Sequence, residues 1–194
     1  MRRIPSALGQ VASCLLLCAV AAVLLIFVPS ISWTHSAQVG LPLRDQAIVA
    51  AAFAVCCGAI AFAVLSIPKL RRAVPVPSSI AELDLTGLNP LIFSLTAGVG
   101  EEFLFRAALQ PFVGIWLSSA LFAGAHARTA ILAASTAGKR AAYISYVFAA
   151  SLCLGLVYEY VGLLAVVALH TFIDLAALLC LRQLSKQSHV AAGT

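Results

Sequence analysis

Six ionisable side chains lie deep in apolar segments of this sequence: Glu101, Glu102, Arg106, His126, His170 and Asp174. A charge at the centre of a bilayer costs about 2.5–3.5 kcal/mol on insertion scales, so such residues indicate function by default. A carboxylate beside two imidazoles can activate water for hydrolysis, either directly or through a bound metal ion. The chemistry therefore depends on which helices bring these groups together.

The composition of the chain requires a membrane. Of the 194 residues, 62% are hydrophobic and 10% are charged, whereas a water-soluble domain carries about 25% charged residues. Apolar runs such as 11–28 and 47–67 are long enough to cross a bilayer as helices. The net charge of +5 comes without a basic stripe interleaved with aromatic residues, so nucleic-acid binding is not expected. All six cysteines lie inside apolar spans and are predicted to be reduced.

The sequence predicts an all-α, polytopic transmembrane helical bundle with about six membrane spans. Proline, glycine, serine and charged residues mark the loops, which places the spans at 11–28, 47–67, about 88–110, about 114–134, 141–158 and 161–182. All Lys and Arg residues except Arg44 and Arg106 then fall at one side of the membrane. The positive-inside rule puts that side, and both termini, in the cytoplasm.

Three regions follow from these spans. Residues 1–87 form an N-terminal two-span region with a cytoplasmic linker, residues 88–184 form the core that holds the ionisable groups, and residues 185–194 form a cytoplasmic tail. No internal repeat and no signal for an oligomeric state is evident.

Depth along the helices brings the polar groups together. The third and fourth spans are predicted to form a hairpin that turns near Pro111–Gly114, with Glu101 about twelve residues before the turn and His126 about twelve after it. At about 1.5 Å of rise per residue, both lie roughly 18 Å from the outer end of the hairpin. His170 and Asp174 lie roughly 12–20 Å from the same side. Three helices therefore deliver polar groups to one layer.

Helical spacing also predicts which groups face each other. Glu102 and Arg106 are four residues apart and can pair on one face. This pairing leaves Glu101, turned about 100° away, free for another task. His170 and Asp174 are also four residues apart and share a face. The small residues 97–100 allow close backbone approach, a short helix break or water entry.

Two chemistries suit these groups. In the first, Glu101 is the general base for a water molecule also held by His126, and His170 stabilises the oxyanion of the cleaved amide. In the second, the same three residues bind Zn²⁺, which activates the water. We favour the metal-free chemistry, because the ligands are scattered over three helices and no H-E-x-x-H motif is present. Phe122 stands one turn before His126 and is predicted to pack against its ring.

At these residues the sequence resembles the CPBP family of glutamic intramembrane proteases, which comprises CAAX proteases and bacteriocin-processing or self-immunity proteins. The family motif E-E-x-x-x-R matches Glu101–Arg106, F-x-x-x-H matches Phe122–His126, and H-x-x-x-N/D matches His170–Asp174. The resemblance covers about residues 88–182, with all three motifs in order on predicted membrane helices.

The resemblance implies an all-helical protease whose catalytic cavity lies in the membrane and opens toward the cytoplasm. It implies that Glu101 is the catalytic base and that His126 is its partner on the water. It further implies that His170 and Asp174 bind the oxyanion. Supporting roles then fall to Glu102, Arg106 and Phe122.

The expected function is that of an intramembrane endopeptidase in a bacterial inner membrane, acting without a cofactor. Its expected partners are a membrane-anchored protein or peptide substrate and the lipid bilayer, with no nucleic acid. Two other functions stay open. A non-catalytic immunity or scaffold protein would use the polar groups to join helices. A proton- or ion-coupled transporter would use the buried acid as a relay, but the chain is short and lacks repeat symmetry.

Overall fold

The computed structural model describes residues 7–27, 39–69, 83–127 and 136–192. Within these ranges the chain is helical and contains no strand, which confirms the predicted all-α fold. The helices are α1 (Ala7–Phe27), α2 (Leu43–Ser66), α3 (Asn89–Glu102), α4 (Gln110–Ala125), α5 (Ala137–Tyr160) and α6 (Leu163–Ala192). A π-helical segment, Phe103–Leu109, joins α3 to α4.

Five helical stretches are long and apolar enough to cross a membrane: Ala7–Phe27, Leu43–Ser66, Asn89–Ala125, Ala137–Tyr160 and Leu163–Gln183. Large apolar side chains such as Leu16, Phe62 and Trp116 are exposed on their outer surfaces. Such surfaces are stable against lipid and unstable against water. The chain is therefore an integral membrane protein.

The stretch Asn89–Ala125 reverses direction at Gly114. Gly114 has φ 79° and ψ 164°, a conformation that glycine adopts without steric cost. The rings of Phe105 and Phe122 have centroids 5.1 Å apart, whereas a continuous helix would separate these residues by about 25 Å. The Ser118 hydroxyl donates a hydrogen bond to the Phe105 carbonyl at 2.7 Å. The stretches predicted as third and fourth spans thus pack against each other as a hairpin.

Two glycines bring other helices close to α3. A Cβ at Gly98 would overlap the side chain of Thr171 on α6, and a Cβ at Gly100 would lie 3.1 Å from the Cα of Cys14 on α1. The small residues at 97–100 therefore permit close packing, and α3 continues without a break through Glu102. The wider π-helical turn follows at once; such turns are frequent at functional sites.

The main apolar core lies between α1, the π-helical segment, α4 and α5. Its buried residues include Leu25, Leu104, Phe105, Phe122 and Val147. Phe122 therefore has two roles, because its ring fills this core and also contacts the polar groups described below. Within the described chain all six cysteines are free.

A second contact fixes the start of α6. The side chain of Gln46, at the beginning of α2, is fully buried. It accepts a hydrogen bond from the Leu164 amide at 3.0 Å and donates one to the Leu41 carbonyl at 2.8 Å. The Leu164 amide belongs to the first turn of α6, where amides have no partner within the helix. The start of α2 thus caps α6, which carries His170.

Helix ends differ from the predicted ends for local reasons. α2 begins at Leu43 rather than 47, directly after Pro42. α5 begins at Ala137 rather than 141, because the Thr136 side chain accepts a hydrogen bond from the Lys139 amide and caps the helix. α6 continues to Ala192, so most of the predicted tail extends the last helix. The predicted loop residues 29–38 and 70–82 and the end of the fourth predicted span, 128–134, lie outside the described residues.

Candidate active site

α3, α4 and α6 bring a carboxylate and two imidazoles to one point. Glu101 Oε2 lies 3.8 Å from His126 Nε2 and 3.9 Å from His170 Nε2. Asp174 Oδ2 lies 3.6 Å from the same nitrogen of His170. All three distances exceed that of a direct hydrogen bond, about 2.7–3.2 Å. The four groups therefore surround a space that can admit a small polar molecule such as water.

These groups line a cavity of about 280 Å³. α5 supplies one wall of the cavity, with both aromatic and aliphatic residues: Tyr143, Tyr146, Val147, Ala150, Cys153 and Leu154. Glu101 Oε2 is buried and has no hydrogen-bond partner among the described residues. Buried polar atoms nearly always have a partner. This oxygen is therefore available to a water molecule or a substrate.

Glu102, the neighbour of Glu101, is fully buried and uses both of its oxygens. Oε1 accepts a hydrogen bond from His170 Nδ1 at 2.6 Å, and Oε2 accepts one from Arg106 Nε at 2.9 Å. The first bond orients the imidazole ring so that Nε2 faces Glu101 and Asp174. The predicted Glu102–Arg106 pair is thus present, and Glu102 also holds His170, a contact that the sequence analysis missed.

Arg106 is fully buried and extends this network to α5. Its guanidinium donates to Ser151 Oγ at 2.8 Å and to Gln110 Oε1 at 3.4 Å. The Gln110 amide donates in turn to the Gly155 carbonyl at 3.0 Å and to Glu159 Oε1 at 3.1 Å. Gln110, Ser151 and Glu159 were not among the predicted site residues. A signal was available for Gln110, because it continues the four-residue spacing of Glu102 and Arg106.

The ring of His126 is fixed at the end of α4. Its Nδ1 lies 2.9 Å from the Phe122 carbonyl. Because a carbonyl oxygen only accepts, Nδ1 carries the proton, and Nε2 of the neutral ring presents a lone pair toward Glu101. The ring stacks on Phe122 with centroids 4.5 Å apart, and the Arg106 guanidinium lies 5.5 Å from the Phe122 centroid. Phe122 is thus packed between the two polar groups.

The donor atoms of Glu101, His126 and His170 are farther apart than the ligands of a tetrahedral zinc ion. Donors around tetrahedral zinc, with bonds of about 2.0–2.2 Å, lie about 3.3–3.6 Å apart. The carboxylate oxygen of Glu101 is 3.8 Å and 3.9 Å from the two imidazole nitrogens. In the part of the chain that the structure describes, no group of three His, Cys, Asp or Glu side chains has an arrangement typical of a metal site.

Comparison with known proteins identifies one matching family. Residues 84–176 match the family described as type II CAAX prenyl endopeptidase, Rce1-like. The match covers a little under half of the chain and includes all three motifs, from Glu101 to Asp174. The protease resemblance read from the motifs is thereby confirmed. No curated protein and no solved structure matches the chain significantly.

Proposed function

We propose that this chain, whose residues 84–176 match the Rce1-like family of CAAX endopeptidases, is a glutamate-dependent intramembrane endopeptidase. It hydrolyses a peptide bond of a membrane-anchored protein or peptide. The observation that carries the proposal is the unpartnered, buried Glu101 Oε2, which faces the Nε2 atoms of two imidazoles across a cavity. An acid used only to join helices would have a partner, as Glu102 has.

In the first step, a water molecule between Glu101 and His126 attacks the carbonyl carbon of the scissile amide. Glu101 takes one proton of the water, and His126 Nε2 accepts a hydrogen bond from the other. A lone pair of the water oxygen forms the new C–O bond. The π electrons of the carbonyl move to its oxygen, which becomes an oxyanion.

In the second step, the tetrahedral intermediate collapses. The oxyanion re-forms the carbonyl, the C–N bond breaks, and the leaving nitrogen takes the proton held by Glu101. The products are a carboxylic acid and an amine, and Glu101 returns to its starting state. His170, held by Glu102 through Nδ1, donates from Nε2 to the oxyanion while it exists, which requires that both ring nitrogens carry a proton.

The membrane topology that we propose has six crossings, with the hairpin around Gly114 contributing two of them. The distribution of lysine and arginine supports cytoplasmic termini and a cavity that opens toward the cytoplasm. The catalytic core then comprises residues 88–184, and residues 1–87 form the two-span region before it. A bacterial inner membrane is the proposed location.

The test uses membranes from cells in which the gene for this chain is deleted. Purified wild-type protein and the variants Glu101→Gln and Asp84→Asn are added separately, and new protein termini are quantified by mass spectrometry. Asp84 is an exposed acid outside the membrane helices, so Asp84→Asn is the matched control. We expect the wild type and Asp84→Asn to generate the same termini at similar rates. We expect Glu101→Gln to be slower by about 10²- to 10⁴-fold, the contribution of a general base.

Two further arms of this experiment separate the alternatives. Addition of 1,10-phenanthroline leaves the rate unchanged in the metal-free mechanism and abolishes it in a zinc mechanism. A farnesylated peptide ending in a C-a-a-X sequence tests the substrate class named in the family description. If the wild type and Glu101→Gln generate the same termini at the same rate, the protein is not this protease, and the non-catalytic immunity or scaffold function takes its place.

A further inference from the structure

Hydrolysis in this cavity needs a hydrogen-bond donor for the oxyanion that neither aspartate nor glutamate can supply. An ionised Asp174 only accepts hydrogen bonds and would repel a negative oxygen, and the proton that Glu101 takes from the water is used for the leaving nitrogen. His126 is committed to the water through the lone pair of Nε2, as its bond to the Phe122 carbonyl requires. His170 is then the single strong donor among the groups placed so far. Oxyanion sites generally combine two donors or more.

The α5 wall of the cavity carries two phenols that are candidates for the second donor, Tyr143 and Tyr146. Both hydroxyls lack a hydrogen-bond partner among the described residues. Tyr143 is half-buried and packs against the main apolar core, and it lines the cavity together with Asp174 and Glu101. Tyr146 is 67% exposed. Burial and packing therefore single out Tyr143.

We propose that Tyr143 is a further catalytic residue, whose hydroxyl donates a hydrogen bond to the oxyanion from the α5 wall of the cavity. This inference rests on the proposed hydrolysis. The phenol keeps its proton throughout: as the carbonyl π electrons move to oxygen, the existing O–H group donates to that oxygen, and no covalent bond of Tyr143 forms or breaks.

The packing of Tyr143 explains why this donor is effective. Its ring contacts the apolar core, so its position is set before the substrate arrives and little reorganisation is needed during the reaction. A neutral phenol also donates without adding a charge to a cavity that already holds two acidic groups. These properties complement His170, whose donor capacity depends on its protonation.

The test compares Tyr143→Phe with Tyr146→Phe in the assay with gene-deleted membranes, using Glu101→Gln as the inactive reference. Both substitutions remove one hydroxyl from the same cavity wall and leave the ring in place. We expect Tyr143→Phe to slow the appearance of new termini by about 10²-fold, the effect of removing one oxyanion donor. We expect Tyr146→Phe to slow the reaction less than Tyr143→Phe does, because the Tyr146 side chain is 67% exposed and is not fixed by packing against the apolar core.

A double variant distinguishes a catalytic hydroxyl from a structural one. Asp174→Asn installs an amide donor beside the oxyanion, so Tyr143→Phe combined with Asp174→Asn should recover at least about tenfold of the lost rate. A structural defect at Tyr143 would not be repaired from α6. The inference is overturned if Tyr143→Phe cleaves as fast as Tyr146→Phe, or if Asp174→Asn restores nothing. Either result leaves the proposed function intact, provided that Glu101→Gln is inactive; an active Glu101→Gln overturns both.

Discussion

Glu101 and Glu102 are adjacent in sequence and lie in two different regions of the molecule. Around Glu101, the cavity groups are 3.6–3.9 Å apart and one carboxylate oxygen has no hydrogen-bond partner among the described residues. Around Glu102, the ionic network with Arg106 and His170 has contacts of 2.6 and 2.9 Å, and Glu102 and Arg106 are fully buried. The network around Glu102 therefore holds the helices in place, and the cavity around Glu101 has room for reacting molecules.

The two regions meet at His170. Its Nδ1 is bonded into the network through Glu102, and its Nε2 faces the cavity. The network around Glu102 therefore fixes the orientation of the His170 ring in the cavity around Glu101, as second-layer hydrogen bonds do in other active sites. Substitutions in the two regions should therefore have different effects. Those in the Glu102 network should lower both stability and activity, and those in the Glu101 cavity should lower activity alone.

The largest loss of stability is expected for Arg106→Met. This substitution leaves Glu102 buried without its cationic partner, and breaking a buried ion pair on one side costs about 3–5 kcal/mol. Equilibrium unfolding in mixed micelles measures the loss, with Arg106→Lys as a control that keeps the charge. A free energy of unfolding equal to that of the wild type would show that the network does not hold the helices.

Glu102→Gln and Glu101→Gln compare the two regions directly. Glu102→Gln weakens the charge-assisted bonds to Arg106 and His170, so we expect a loss of about 1–3 kcal/mol and of about 10- to 100-fold in activity. Glu101→Gln should not lower stability, because its buried oxygen has no partner to lose. Equal destabilisation by the two variants, measured by unfolding in mixed micelles, would remove the distinction between the regions.

Gly98→Ala tests the close approach that sets the distance between the regions. The added methyl group would overlap Thr171, next to His170, and overpacking of this kind costs about 1–3 kcal/mol. Gly124→Ala is the matched control, because no heavy atom of the described residues outside its own helix lies within 4 Å of a Cβ at Gly124. Thermal unfolding in detergent should show a lower Tm for Gly98→Ala only. If both variants have the Tm of the wild type, the contact between Gly98 and Thr171 does not determine how closely α3 and α6 approach.

The smallest effect is expected at Gln46, far from the ionisable groups in sequence. Gln46→Ala removes the side chain that accepts from the Leu164 amide, and a hydrogen bond of this type contributes about 0.5–1.5 kcal/mol. The loss is measurable by the same unfolding experiment. Gln46→Met fills similar space without an acceptor and should also be less stable than the wild type; a Gln46→Met variant as stable as the wild type would contradict a capping role.

Spacing along single helices was sufficient to predict part of the site. The four-residue separations of Glu102 from Arg106 and of Phe122 from His126 correspond to contacts in the structure. The hairpin centred near Gly114 could also be anticipated, because proline and glycine interrupt an apolar run at that point. These features depend on local geometry, which a sequence displays directly.

Contacts between distant helices could not be read in the same way. The Glu102–His170 bond depends on how closely α3 approaches α6. Gly98 allows that approach because a Cβ at this position would overlap Thr171. Ser151 resembles any small polar residue in a membrane helix until α5 is placed beside Arg106. Rotation and separation of helices are set by packing as a whole, which single-helix periodicity does not specify.

The central claim is that Glu101 acts as a base on water, and single-turnover cleavage in H₂¹⁸O tests it most directly. The substrate is a membrane protein whose cleavage the wild type supports, with enzyme in excess. If Glu101 acts as a base, one ¹⁸O atom enters the new C-terminal carboxyl group of the product and none enters the Glu101 side chain. Label in Glu101, with unlabelled product in the first turnover, would mean that the carboxylate attacks the substrate itself and does not act as a base.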